Sequence, residues 1–560
     1  MTNDRPAVLV VIALIWAGIY LPGLGSLELK HEEPRRALPA VHMAASGDWI
    51  VPRVGSVPYL RKPPLLNWLI AAGFELSGGR SEWAVRLPSA LATLALALAM
   101  LIFGGRWLGL QGGFIAAVFF LTNLAIVESG RLAELEAVYI ALTGIALVIW
   151  LWSWLAGRTG WRLWFWPAIF LALGLLTKGP THLIFFYGIL IPVLVYAKEL
   201  RILLQPSHWF ALALMVAIFS AWAVPCSLAV GQHGPLSVWQ FWIRQITSRA
   251  SETEAFRLQN WLLNFPQTLK NFLPWTPLLL LLWVKKEQVA APRSRALFKG
   301  ARLGMVITCL VMCVLPNGSP RYIYPLFVVP CLLLAQLFVE HENVPVITLS
   351  LRIWHWFNAL LLGVASVVVL AIPFVAGFSP ASLIAWIIGL AIALYGWVLW
   401  RYPRSLPGAP TRFLTGNASA VTDSAGRSLP LALEATRQAL TTAMVFVIAM
   451  MTYASAIVPR VNALTRDGPR EVAAEIRRAV PSGIVLWVQE DQYRPFWYYL
   501  EPGARYFHSL SDIPDDARYF LLPQDSAADF MRDQRWKGDQ LKRLKEVSDN
   551  ENKKFVVIAR

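Results

Sequence analysis

The run AVLVVIALIWAGIYLPGLGSLELKHEEPRRA, residues 7–37, joins two unlike textures. Ala7–Leu24 is apolar and about as long as a bilayer-crossing helix requires. The ten residues from Leu27 to Arg36 then hold three glutamates, a histidine, a lysine and two arginines. The apolar half decides the fold class, because the pattern recurs at Leu87–Phe103, Phe210–Val230 and Leu440–Val458. Of the 560 residues 56% are hydrophobic and 15% charged, against about a quarter charged in a soluble domain. Long uninterrupted apolar runs point to a polytopic α-helical membrane protein; a β-barrel would alternate. No small-residue cleavage site precedes LPGLGSLELK, so the first run reads as a retained helix.

Hydropathy places about thirteen transmembrane helices, near residues 7–25, 84–106, 111–127, 135–154, 163–177, 180–197, 208–230, 271–285, 302–316, 322–339, 354–377, 381–400 and 439–458. An odd number puts the two termini on opposite sides. GRTGWR, KELR, KKEQVAAPRSRALFKG and RYPRSLPGAPTR are basic and nearly free of acid, which predicts a cytoplasmic N-terminus and an outer C-terminus. The outer loops 26–83 and 231–270 are also basic, but long, where that rule is weaker. Leu65–Gly78 is too short to span and reads as a helix on the membrane surface. EEPRRALPAVHMAAS reads as a second short helix, with a break allowed at Pro39.

Residues 1–458 thus form a transmembrane domain, and residues 459–560 a soluble α/β domain. In the latter GIVLWVQ, ARYFLLP and KKFVVIA read as buried strands, PREVAAEIRRAV and DSAADFMRDQ as amphipathic helices. Thr411–Ser428 reads as a polar linker. The four cysteines sit in or beside apolar runs and read as small buried hydrophobes. The net charge of +16 is scattered between spans, which disfavours nucleic acid and suits anionic lipids or a phosphate-bearing substrate.

Charges against a membrane are costly and mark function. Composition alone leaves Glu32, Glu33, Arg35 and Arg36 as a solvated face, but three features weigh against that. Glu134 and Glu136 open a span on the same outer side; two residues apart, they face different ways and differ in role. LLTKGPTHL sets Lys178 at an outer Lys-Gly-Pro break, where an ammonium group could meet an anion. FWIRQITSRASETEAFRLQNW brings Arg244, Arg249 and Arg257, and with Lys62 and Arg321 the outer face becomes basic in several loops. Carboxylates beside a phosphate-binding set suggest a transferase acting on a lipid-linked phosphate. A transporter or flippase of lipid-linked sugars would gather its charges at the midplane instead. A non-catalytic envelope assembly protein is the third reading.

Residues 31–72, HEEPRRALPAVHMAASGDWIVPRVGSVPYLRKPPLLNWLIAA, resemble the first outer loop of the aminoarabinose transferase and protein O-mannosyltransferase superfamily. The carriers are an acid–Glu–x–Arg order, the SGDW segment and Tyr-x-x-Lys-Pro-Pro. GRLAELEAVYIAL, LLTKGPTHL and SPRYIYPLFVVP follow in the family's order, through residue 340. The resemblance implies a GT-C-type fold with a small C-terminal periplasmic α/β domain, in a bacterial inner membrane. It implies inverting transfer of a sugar from a polyprenyl (undecaprenyl) phosphate to a periplasmic acceptor, lipid A or another envelope glycan or protein. Glu32 and Glu136 fall on its catalytic positions. Glu33, Arg35, Tyr59, Lys62, Lys178, Arg249, Arg257 and Arg321 are expected to bind substrate. The partners implied are the lipid-linked donor, a lipid or glycan acceptor and membrane lipids. The scheme requires no cofactor, and His31 and His42, eleven positions apart, do not argue for a divalent metal. Glu32 and Glu136 stand where the family has aspartate, Arg36 replaces an aromatic and Arg61 an acid, which leaves sugar and acceptor open.

Overall fold

The computed structural model describes residues 5–231, 238–244, 258–284, 292–314, 319–340, 345–376, 380–401, 431–464, 468–490, 493–549 and 551–560. In lipid a backbone must satisfy its own polar groups, so apolar runs wind into helices. Among the described residues seven helices are long and apolar enough to cross a membrane, and four shorter apolar helices accompany them. The expectation of about thirteen separate spans is corrected at one place, residues 271–285. The spans expected at 84–106 and 111–127 are two helices as read. The chain turns back at Gly109, whose φ is 72°, and packs so closely on itself that a Cβ on Gly113 would lie 2.8 Å from Gly105; the second helix ends at Leu121. Residues 271–285 hold an eight-residue 3-10 helix, Thr276–Trp283, which covers only about 16 Å of a ~30 Å core. Hydropathy measures apolar content and is blind to how tightly a helix winds.

The elements that matter for the outer face come early. They are α1 (Arg5–Tyr20), α2 (Glu33–Ser46), α3 (Leu65–Ser77), α4 (Glu82–Ala99), α5 (Gly105–Leu121), α6 (Leu124–Gly130), α7 (Leu135–Leu155) and α8 (Trp161–Lys178). The loop after α1 carries α2, a two-residue hairpin of β1 (Arg53–Val54) and β2 (Val57–Pro58), and α3. Pro34 stands in the first turn of α2, where its missing N–H costs nothing. Glu33 beside it suits the positive helix end. The helix runs through Pro39 without a break and stops at Gly47, whose φ is 74°. Asp48 then accepts the backbone N–H groups of Ile50 and Val51, each at 3.1 Å, and shapes the SGDW turn.

The last membrane helix (Leu431–Thr452) continues through a π-turn to Leu464, and the α/β unit starts at Pro469. Its sheet holds β3 (Leu486–Gln489), β4 (Ala504–Phe507), β5 (Tyr519–Pro523), β6 (Lys542–Ser548) and β7 (Lys554–Ala559), in the order β4-β3-β5-β7-β6. β3 pairs in parallel with β4 and β5, and β7 antiparallel with β5 and β6. Strands β3, β5 and β7 and both helices, Pro469–Arg478 and Gln524–Arg532, match the sequence reading. Strand β6 escaped it because KRLKEVS is exposed at all positions but one and shows no apolar alternation. One face of this unit shares a core with the outer loop: Leu38, Val41, Leu66 and Ile70 cluster with Ile476, Leu486 and Trp497. The other face closes over Phe507, Phe520, Phe530 and Trp536. The domain is therefore seated on the first outer loop. The linker expected at Thr411–Ser428 lies outside the described residues.

Candidate active site

The charges after α1 sort into two groups. Glu33 is wholly buried and bonds Arg86 of α4 through both oxygens, at 2.7 and 2.8 Å. It also accepts the N–H groups of Ala133 at 2.8 Å and Lys30 at 2.9 Å. Arg86 gives its remaining N–H groups to the carbonyls of Leu24, Leu27 and Glu28. Every donor of the guanidinium is used, which is what a charge pair needs to survive burial. The expectation of a substrate contact at Glu33 therefore gives way to a structural one: the carboxylate ties α2 to α4 and to the start of α7.

Glu32 is the opposite case, 41% exposed at its side chain. Its carboxylate takes Arg35 at 3.0 Å and Arg36 at 3.1 Å, the i+3 and i+4 neighbours on one face of α2. Arg36 is buried, and its other nitrogen donates to the Tyr59 hydroxyl just after the hairpin. Asn67 of α3 fixes the Arg36 carbonyl at 2.7 Å. Glu32 thus projects from a rigid frame made by α2, α3 and the hairpin.

The third part comes from α7, α8 and the 3-10 segment Pro320–Phe327. Glu134 caps the start of α7 and pairs with Arg321 at 2.7 Å; Glu136, one step into the helix, pairs with Lys178 at 2.9 Å. The two acids do diverge, each onto its own cation. Burial, then the neighbouring Glu136 carboxylate, pushes the Glu134 carboxyl up to about 7, with Arg321 and Arg36 opposing. Arg36 thereby links this cluster electrostatically to Glu32. Lys178 ends α8 because Gly179 turns the chain at φ 85°; a Cβ there would sit 2.8 Å from Trp242. Its ammonium lies 4.7 Å from the Tyr322 ring centre and 5.4 Å from that of Tyr139.

Of the expected site residues, the structure groups Glu32, Arg35 and Tyr59 on one side, and Glu136, Lys178 and Arg321 on the other. Lys62 is half-buried, four residues past the end of β2. Arg249 and Arg257 lie outside the described residues. Sequence reasoning gave no role to Arg36, Asn67 or Tyr322. The i+4 spacing from Glu32 was the available signal for Arg36. Among the described residues no group of three or more His, Cys, Asp or Glu is disposed to hold a metal ion.

Residues 61–224 match the family model described as dolichyl-phosphate-mannose-protein mannosyltransferase. An undecaprenyl phosphate-alpha-4-amino-4-deoxy-L-arabinose arabinosyl transferase 2 of Pseudomonas fluorescens is 30% identical over 353 residues, covering 60% of this chain and 57% of that relative. The transferase of the same description from Pseudomonas savastanoi pv. phaseolicola is 29% identical over 344 residues, covering 60% and 62%. The chain spans less than two thirds of either relative's length. The crystal structure of ArnT from Cupriavidus metallidurans bound to undecaprenyl phosphate matches with a TM-score of 0.67, over 100% of this chain and 98% of that one, at 15% identity. The chain shares the fold of the ArnT structure and is similar in sequence to aminoarabinose transferases over about 60% of its length. It is a multi-pass protein of the bacterial inner membrane. The mannosyltransferase match takes in Lys62, Glu136 and Lys178 but begins after Glu32 and Tyr59.

Proposed function

We propose that the protein transfers a sugar from a polyprenyl (undecaprenyl) phosphate to a periplasmic acceptor, lipid A or another envelope glycan or protein. The observation that carries this reading is an open, arginine-framed carboxylate and, linked to it through Arg36, a second cluster in which two cations are held on acids. The printed names of the relatives, arabinosyl transferases using undecaprenyl phosphate, support the donor class. The N-terminus lies in the cytoplasm, and the C-terminal domain with the site in the periplasm, in line with the basic loops of the other face.

Glu32 acts as general base. Arg35 and Arg36 hold and aim its carboxylate. The acceptor oxygen attacks the anomeric carbon from the side opposite the carrier. Its proton passes to Glu32, the anomeric C–O bond breaks with inversion, and polyprenyl phosphate leaves with the bonding pair. Lys178 and Arg321 neutralise that phosphate by exchanging a carboxylate partner for a phosphate oxygen, and Lys62, Arg249 and Arg257 stand in loops of the same face. Glu134, with its raised pKa, takes up a proton when Arg321 turns away, so that exchange leaves no bare carboxylate at Glu134. Glu136 holds Lys178 in place between turnovers. No step is routed through a cofactor.

The test is the purified full-length protein with undecaprenyl phosphate–aminoarabinose and lipid A, then with undecaprenyl phosphate hexoses and other envelope acceptors, products read by mass spectrometry. Glu32→Gln is expected to abolish product while the protein stays folded. Donor consumption by Glu32→Gln at the wild-type rate would sink the assignment of the base. Translocation of donor across proteoliposomes without transfer to any acceptor would favour a flippase instead.

A further inference from the structure

Tyr493 belongs to the C-terminal domain, yet its ring lies 4.5 Å from the Arg35 guanidinium, the same group that bonds Glu32. The far side of the ring system meets Trp497 edge-on at 6.0 Å, so the side chain is packed between its own domain and α2. Its hydroxyl is buried and has no hydrogen-bond partner among the described residues. Buried polar atoms without partners are rare because they cost free energy, and they call for a ligand or a function. Arg35, which the ring covers, in turn bonds Glu32 at 3.0 Å, so the side chain is one residue removed from the base. Burial pushes the phenol well above its ordinary value, so it stays a neutral O–H that can give and accept.

The domain that delivers Tyr493 is fastened to the outer loop at several points around it. Tyr499 accepts from the Leu29 N–H at 2.8 Å and donates to Glu82 at 3.1 Å. Tyr498 donates to the Arg80 carbonyl at 3.1 Å. On the other side of the site Glu490 accepts both the Ser56 hydroxyl, at 2.6 Å, and its N–H, at 3.1 Å. The hairpin turn comes so close that a Cβ on Gly55 would lie 2.2 Å from the Glu490 carboxylate. Tyr493 is therefore held over Arg35, the partner of Glu32, by bonds on both flanks.

We infer that Tyr493 is a substrate-contact residue supplied by the C-terminal domain: its ring pins Arg35 against Glu32, and its hydroxyl bonds a hydroxyl of the transferred sugar. The inference rests on the transferase reading above. A neutral donor–acceptor suits a sugar hydroxyl better than a phosphate, which the cations of the site would take.

Two variants separate ring from hydroxyl. Tyr493→Phe should raise the KM for the lipid-linked donor about tenfold, the worth of one neutral hydrogen bond, with kcat and unfolding temperature unchanged. Tyr493→Ala should lower kcat as Glu32 loses its frame. Among undecaprenyl phosphate donors each lacking one sugar hydroxyl, one should be used equally well by wild type and Tyr493→Phe, because both have lost the same bond. A purely structural tyrosine would show no such donor. If wild type turns over the donor and Tyr493→Phe matches it with every sugar, the inference fails and the transferase reading stands. A second measurement needs no turnover: monosaccharide 1-phosphates should raise the unfolding temperature of the wild type more than that of Tyr493→Phe. If the wild type neither turns over a lipid-linked sugar nor is stabilised by any of these probes, the reading and the inference fall together.

Discussion

Glu32 and Glu33 are neighbours in the chain and opposites in the fold. Glu33 ends in a sealed knot where Arg86 and two backbone N–H groups saturate it. Glu32 ends in an open frame where two arginines hold it from one side and the other faces outward. A saturated buried pair has nothing left to give a substrate, and an exposed framed carboxylate contributes little to stability. The same division separates the Arg86 knot from the Glu134–Arg321 and Glu136–Lys178 pairs, each of which has a partner to exchange. The first region should answer to mutation in stability, and the second in activity.

The largest effect is expected at the knot. Glu33→Ala leaves Arg86 charged and buried, so about 3–5 kcal/mol of stability should go, seen as loss of folded protein or a lower unfolding temperature in detergent. Replacing Arg86 by methionine as well should recover part of it. If Glu33→Ala folds normally and loses only activity, the division drawn between the two glutamates is wrong. Next comes Glu32→Gln, which should lower transfer by roughly a hundredfold or more with an unchanged unfolding temperature. A smaller effect is expected at Lys178→Met, a rise in donor KM of about tenfold. Adding Glu136→Gln to it should cost little more, because the two act as one unit; additive losses would mean that Glu136 works independently of Lys178.

The smallest effect is a pH dependence. The folded-state pKa of Glu134 is raised to about 7, above its ordinary 4.5. The folded protein therefore holds this proton more tightly than the unfolded chain. The associated stability is complete below about pH 4.5 and is lost as pH rises through about 7. Unfolding temperature measured from pH 5 to 8 should fall more for the wild type than for Glu134→Gln. Parallel curves would place the titration elsewhere.

Much of this was legible in the sequence, in uneven ways. The apolar runs announced the membrane helices, since hydropathy belongs to each segment by itself. Pro34 and Glu33 announced the start of α2, and Gly47 its end, because capping is local. The 3-10 winding of Thr276–Trp283 was not legible, since apolar composition is the same on either course. At the site, the charge cluster of Leu27–Arg36 and the divergence of Glu134 from Glu136 could be read from spacing. The burial of Glu33 could not, nor could the arrival of Tyr493 over Arg35.

By itself the sequence determined the class of the protein, the outer face as the side where charges gather, and the residues from which a site could be chosen. The tertiary structure alone decided which of those charges are spent on each other. Glu33 meets Arg86 from 53 residues away, and Glu134 meets Arg321 from 187. Whether a carboxylate is a brace or a base depends on its desolvation and its partners. Both are set by chain segments far apart in sequence that only packing brings together.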